Sequence, residues 1–130
     1  PSVFYAWDAR TAEEKWRIEL DADNVASSIS LANDLAVFGC DRGRLYAVNT
    51  AERRLAWKSP HNAGAYHGSP CMTPGRIYIG SMRSCLHVFD HGGHHRRAYE
   101  AGGKIESTPV IHEAQLFFGC NDGCLYRLTA

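Results

Sequence analysis

An apolar run closed by glycine recurs three times at nearly equal intervals. The runs are Val37-Phe38-Gly39-Cys40, Ile77-Tyr78-Ile79-Gly80 and Leu116-Phe117-Phe118-Gly119-Cys120. Gly39 and Gly80 are 41 residues apart, and Gly80 and Gly119 are 39 apart. A short turn follows each glycine, and then Leu45-Tyr46, Leu86-His87 or Leu125-Tyr126. A fixed period near 40 describes an array of equal supersecondary units, in which most recurring residues serve to build the unit.

Each unit carries four short strand-like runs. The first is Val25–Leu31, matched by His67–Met72 and Ile105–Ile111. The second is Leu35–Gly39, Arg76–Gly80 and Gln115–Gly119, where alternation and β-branched or aromatic residues favour strand. The third is Arg44–Asn49, Cys85–Asp90 and Cys124–Thr129, and the fourth centres on Trp16, Trp57 and Tyr99. Turn chemistry separates them: Asn33-Asp34, Pro74-Gly75 and Glu113-Ala114 between the first and second runs, Asp41-Arg42-Gly43 and Asn121-Asp122-Gly123 between the second and third. Four antiparallel strands in about 40 residues is the signature of a propeller blade.

The expected fold class is therefore all-β, a partial β-propeller of four-stranded antiparallel blades, about three blades' worth. The whole chain, 1–130, reads as a single repeat array: a blade part at 1–20, blades at 25–59 and 66–100, and a blade part at 105–130. A closed propeller needs roughly four to eight blades, so this array is expected to leave open edges. Three arrangements would cover them: a larger propeller of which this is a portion, a ring of copies, or a partner chain. Third-strand runs stand at both ends, so head-to-tail joining leaves one strand surplus per junction, which favours the first. The chain opens on Pro1 rather than methionine, which leaves open the removal of a leader or of a longer N-terminal part.

Bulk properties narrow the function. Fourteen basic and 14 acidic residues give zero net charge, and no basic stripe is present, so nucleic acid is not an expected partner. No apolar run approaches the ~20 residues of a membrane helix. The five cysteines, Cys40, Cys71, Cys85, Cys120 and Cys124, are odd in number and lack zinc-type spacing, which favours a reducing compartment and hence the cytoplasm over the periplasm. Most read as small strand residues. A cross-hairpin disulfide or metal pair at Cys120 and Cys124 stays open as an alternative.

Several residues resemble the repeats of the quinoprotein alcohol dehydrogenase-like (PQQ-like) β-propellers. That family's tryptophan-docking motif runs Ala-x-Asp/Asn-x-x-Thr-Gly-x-x-x-Trp. Residues 6–16, with Ala6, Asp8, Thr11 and Trp16, match all but the glycine, and residues 47–57 keep Ala47, Asn49 and Trp57. In the third copy Val88 and Asp90 hold the first positions, and Tyr99 stands one residue late for the tryptophan. The family's Ser-Ser-Pro strand is echoed by Ser69-Pro70, Ser107-Thr108-Pro109 and Ser27-Ser28. The resemblance implies propeller blades. It also implies that Trp16 and Trp57 are inter-blade anchors, and that Asp8 and Asn49 bond the turn behind them.

Enzymes of that family carry quinone and calcium on the axis and use an aspartate base. Asp8, Asp41, Asp90 and Asp122 all fall at repeat or turn positions, so neither cofactor nor catalytic residue is assigned, and no metal site. Two clusters remain as candidates. His91, His94 and His95 could ligate a metal or could form a solvated turn around Gly92-Gly93. Tyr66 and His67 could face a central channel, with packing at a blade rim the preferred role. The expected function is a non-catalytic scaffold whose loops and edges bind a protein partner or a second copy. In that resemblance the relatives include an outer-membrane assembly lipoprotein that binds through propeller loops, and repeat domains of acyl-activating enzymes. The alternatives are a fragment of a quinone-dependent dehydrogenase, or the repeat domain of an acyl-activating (adenylate-forming) enzyme.

Overall fold

The computed structural model describes residues 2–60 and 64–130. Among these the chain forms four antiparallel sheets and no helix. The first sheet pairs β1 (Ser2–Trp7) with β2 (Glu14–Leu20). The second runs in order β3 (Ser30–Ala32), β4 (Leu35–Gly39), β5 (Leu45–Asn49) and β6 (Arg54–Lys58). The third repeats it as β7 (Cys71–Met72), β8 (Ile77–Gly80), β9 (Cys85–Phe89) and β10 (His95–Glu100). The fourth has β11 (Val110–His112), β12 (Gln115–Gly119) and β13 (Leu125–Thr129).

The core lies between successive sheets. Phe4, Trp16 and Leu20 of the first sheet meet Ala36, Phe38 and Val48 of the second. The opposite face of that sheet packs Val37, Leu45 and Ala47 on Tyr66, Ile77, Ile79 and Phe89. Tyr78, Leu86 and Val88 of the third sheet then meet Ile105, Leu116 and Phe118. The two complete sheets are thus covered on both faces, which is why β4 and β8 read as unbroken apolar runs. β13, covered on one face only, alternates exposed and half-buried residues.

Turns follow the sequence closely. Gly43 and Gly123 take positive φ (72° and 89°), each closing a five-residue loop with a Cys40–Arg44 or Cys120–Cys124 backbone hydrogen bond. Ser84 fills the same place in the third sheet at φ 62°.

Two expectations are corrected. The first strands are shorter than the apolar runs: Val25–Leu31, His67–Met72 and Ile105–Ile111 shrink to the ladders beginning at Ser30, Cys71 and Val110. Side chains replace the ladder before them. Ser27 Oγ accepts the Gly39 N–H at 2.9 Å and donates to its carbonyl, and Ser107 does the same with Gly119 at 3.0 and 2.8 Å. Pro70 and Pro109 have no N–H to contribute. The second correction concerns the tryptophan position of the third copy. Trp16 pairs with Ala6 and Trp57 with Ala47, whereas the equivalent Val88 pairs with Arg97. The turn there is one residue shorter, Asp90 to His94 in place of Asp8 to Glu13. Tyr99 sits opposite Leu86 and still packs toward the next sheet.

Candidate interaction surfaces

The histidine-rich turn between β9 and β10 is built around Asp90. Its carboxylate accepts the Gly92 and His94 N–H groups, both at 3.0 Å, and Arg96 Nε at 2.8 Å. Burial pushes the Asp90 carboxyl up, but the His94 N–H, Arg96 and the His94 ring outweigh it and bring it down to about 2. The three imidazoles go to different partners. His91 Nε2 donates to the Thr73 carbonyl at 2.7 Å, His94 Nδ1 lies 3.1 Å from Asp90, and His95 Nε2 lies 3.0 Å from His87 Nδ1. Among the described residues no three His, Cys, Asp or Glu side chains are grouped as a metal ion would require.

The same turn is the landing place of a tryptophan from the preceding blade. Trp57 Nε1–H donates to the His91 carbonyl at 2.8 Å. Gly93, at φ 84°, lies against the indole face, where a Cβ would come within 2.6 Å of Trp57 Cδ2 and Cε3. A larger residue there would lift the indole off its acceptor. In the earlier copies the turn side chains do as expected: Asp8 Oδ1 accepts the Arg10 and Thr11 N–H groups, and Asn49 Oδ1 accepts that of Glu52. The Thr11 and Arg10 bonds hold the Asp8 carboxyl below its usual range.

Tyr66 is fully buried, with its ring edge against His87. Burial pushes its phenol well above the ordinary value. His67 is exposed, and its Nε2 lies 3.4 Å from Asp41 Oδ1 across the blade junction. The structure thus separates this pair: Tyr66 packs between blades and His67 sits at their rim. All five cysteines are free. Cys120 Sγ donates to the Gly103 carbonyl at 3.2 Å, while Asp122 raises the exposed Cys124 thiol.

Sequence reasoning missed the contacts that join blades, because each unites residues far apart in the chain. The repeated glycine is one half of such a contact. A Cβ on Gly39 would lie 2.5 Å from Tyr66 Cβ, and one on Gly80 would lie 2.1 Å from Ile105 Cγ2. The Tyr66 N–H donates to the Cys40 carbonyl and the Ile105 N–H to the Ser81 carbonyl, both at 3.1 Å. Inner segments are linked as well: the Ser28 N–H donates to Ser69 Oγ at 2.9 Å, and the Ser69 N–H to Thr108 Oγ1 at 3.1 Å. The period of the glycines, and of Ser28, Ser69 and Thr108, was the available signal.

The end sheets present a different surface. Leu125 is 76% exposed although Leu45 and Leu86, its counterparts, are 0% exposed. Val110 on the same sheet, and Tyr5 and Trp7 on the first sheet, are also exposed. A cleft of about 460 Å³, lined by Arg76, Tyr78, Arg96, Arg97 and Leu128 among others, lies between the third and fourth sheets.

Successive antiparallel sheets, two of them four-stranded, packed face to face and bonded through their innermost segments, fix the architecture. The fold is a partial β-propeller. BamB from Moraxella catarrhalis is a solved structure with the same arrangement, at TM-score 0.74 and 17% identity over 95% of this chain. The chain covers 36% of that protein's length. No family model and no curated protein matches the chain.

Proposed function

We propose that this chain is a non-catalytic β-propeller repeat unit that serves as a protein-interaction platform. The observation that carries the reading is the fate of the polar side chains. Asp8, Asn49, Asp90, Ser27, Ser107 and His91 are spent on turns and blade contacts. Apolar side chains at the end sheets point outward instead, with Leu125 76%, Val110 59% and Trp7 56% exposed. A rigid framework with variable loops and uncovered apolar faces suits binding rather than bond chemistry.

A photo-crosslinking residue at the exposed turn positions Arg42 or Asn121, or at Leu125, tests this in cells. Discrete protein adducts from at least one position are expected. Addition of quinone and calcium to the purified protein is the opposing arm. A bound chromophore with dye reduction, and no adduct from any position, would overturn the platform reading in favour of the dehydrogenase alternative.

A further inference from the structure

The second, third and fourth sheets each close their central hairpin turn with one backbone hydrogen bond at equivalent positions. The Cys40 N–H donates to the Arg44 carbonyl at 3.1 Å, that of Ser81 to Cys85 at 2.8 Å, and that of Cys120 to Cys124 at 3.0 Å. The closing pair is therefore Cys and Arg, then Ser and Cys, then Cys and Cys. Only the fourth sheet carries a thiol at both positions. Residues that face each other across antiparallel strands stand roughly 4.5–5.5 Å apart at Cα, with their side chains on one face. A disulfide spans about 4.4–6.8 Å between Cα atoms. The hairpin thus holds these two cysteines within bonding reach while both are still thiols.

The surroundings of the pair agree with its geometry. Both thiols lie beside one carboxylate. Asp122 is held below its usual range first by Tyr126 Oη and the Cys124 N–H, and further by the Cys120 and Cys124 thiols. Cys120 Sγ also donates to the Gly103 carbonyl at 3.2 Å and packs against the cluster between the third and fourth sheets. Its side chain therefore faces the internal junction, not the outer face of the last sheet. Cys124 is exposed, and its counterparts Arg44 and Cys85 are only half-buried although they stand in sheets covered on both faces. Access to this position belongs to the turn itself. The other thiols lack both features: Cys40 is buried, and burial pushes the half-buried Cys71 and Cys85 up.

We propose that Cys120 and Cys124 are a modification site that forms a reversible disulfide by exchange with a low-molecular-weight disulfide of the glutathione class. The exposed Cys124 gives up its proton, and its thiolate attacks one sulfur of oxidised glutathione. A mixed disulfide forms and one glutathione thiolate leaves. The Cys120 thiolate then attacks Cys124 Sγ, closes the internal disulfide and expels the second glutathione. The two thiol protons end on the two glutathiones. The protein dithiol is oxidised by two electrons, and the glutathione disulfide is reduced to two thiols. Closing the bond takes the Cys120 thiol off the Gly103 carbonyl and both thiols off Asp122. Gly102 and Gly103 are seated tightly on that turn: a Cβ on Gly102 would come 2.5 Å from Asp122 Oδ2, and one on Gly103 2.9 Å from its backbone nitrogen. Oxidation therefore acts where the connection from β10 to β11 is held to the β12–β13 hairpin.

The test equilibrates the purified chain with mixtures of reduced and oxidised glutathione, traps the remaining thiols with iodoacetamide and maps all five cysteines by mass spectrometry. The wild type is expected to lose two alkylatable thiols together, Cys120 and Cys124, joined within one chain, and to regain both with dithiothreitol. Cys120→Ser removes the resolving thiol, so Cys124 is expected to stay glutathionylated. Cys124→Ser is expected to leave Cys120 reduced. Asp122→Asn removes the charge that raises the Cys124 thiol and should quicken the first exchange at neutral pH. A glutathione adduct that persists on Cys124 in the wild type would overturn the proposal. So would oxidation that joins other cysteines or two chains, or five thiols still alkylated in oxidised glutathione alone. The wild-type map decides the matter even where a serine variant fails to fold.

Discussion

The repeated glycine makes one substitution behave in opposite ways at equivalent positions. Gly80→Ala places a Cβ 2.1 Å from Ile105 Cγ2, 2.6 Å from Ile105 Cβ and 3.2 Å from its carbonyl oxygen. Ordinary contact begins near 3.5 Å, so β8 and the Ile105 segment must separate by more than an ångström. Ile105 is fully buried and cannot swing away. Overpacking of this kind costs about 1–3 kcal/mol, and the shift also stretches the Ile105–Ser81 hydrogen bond, worth about 1 kcal/mol. A loss of ~2–4 kcal/mol is expected. Gly39→Ala, 2.5 Å from Tyr66 Cβ, should fall in the same range. Gly119→Ala meets nothing closer than 3.8 Å, and none of the three glycines has positive φ. Relief of the unfolded-state entropy of glycine should make it neutral or stabilising by ~0.5–1 kcal/mol. Urea unfolding followed by tryptophan fluorescence gives all three values. Equal destabilisation at Gly80 and Gly119 would refute the reasoning, since it would tie the glycine to backbone conformation rather than to the neighbouring blade.

Other outcomes follow from single contacts. Trp57→Phe keeps the ring on Gly93 but loses the bond to the His91 carbonyl, and should cost about 1–2 kcal/mol in thermal or urea unfolding. Ser59→Ala removes the buried acceptor of the Leu45 N–H at 3.0 Å and should cost about 1–3 kcal/mol, with loss of protection at that amide in hydrogen exchange. The Asp90 carboxyl, held down at about 2 against an ordinary value near 4, stabilises the folded state fully above pH ~4. That contribution is lost as pH falls from ~4 toward 2, so the melting temperature should drop over this window more steeply than in Asp90→Asn.

The sequence made the second and third strands legible because both faces of those sheets are covered. The apolar run and the closing glycine then mark each strand directly, and β4 begins and ends where the pattern does. It overextended the first strands because Val25 and Ile105 are apolar for a different reason: each belongs to a blade junction or an end face, not to a ladder. Tyr99 was misplaced because a turn shortened by one residue changes register, and Arg97 takes the tryptophan's pairing position. The histidines stood out by clustering, yet three neighbours on a tight turn point in three directions. The unequal surroundings of the three repeated glycines were hidden for a physical reason. The period says that Gly39, Gly80 and Gly119 are equivalent, but only three-dimensional contact says that Tyr66 and Ile105 fill two of the three.

Native-state amide exchange at Tyr66 and Ile105 tests the central claim, that blades are joined by these incoming segments. Both residues lie outside every strand, so their N–H groups have no ladder to protect them. The account predicts that both exchange with protection close to that of Val37 and Ile79 in the core strands. Exchange at the rate of the exposed turn amides of Arg42 and Asn121, in a protein otherwise folded, would contradict it.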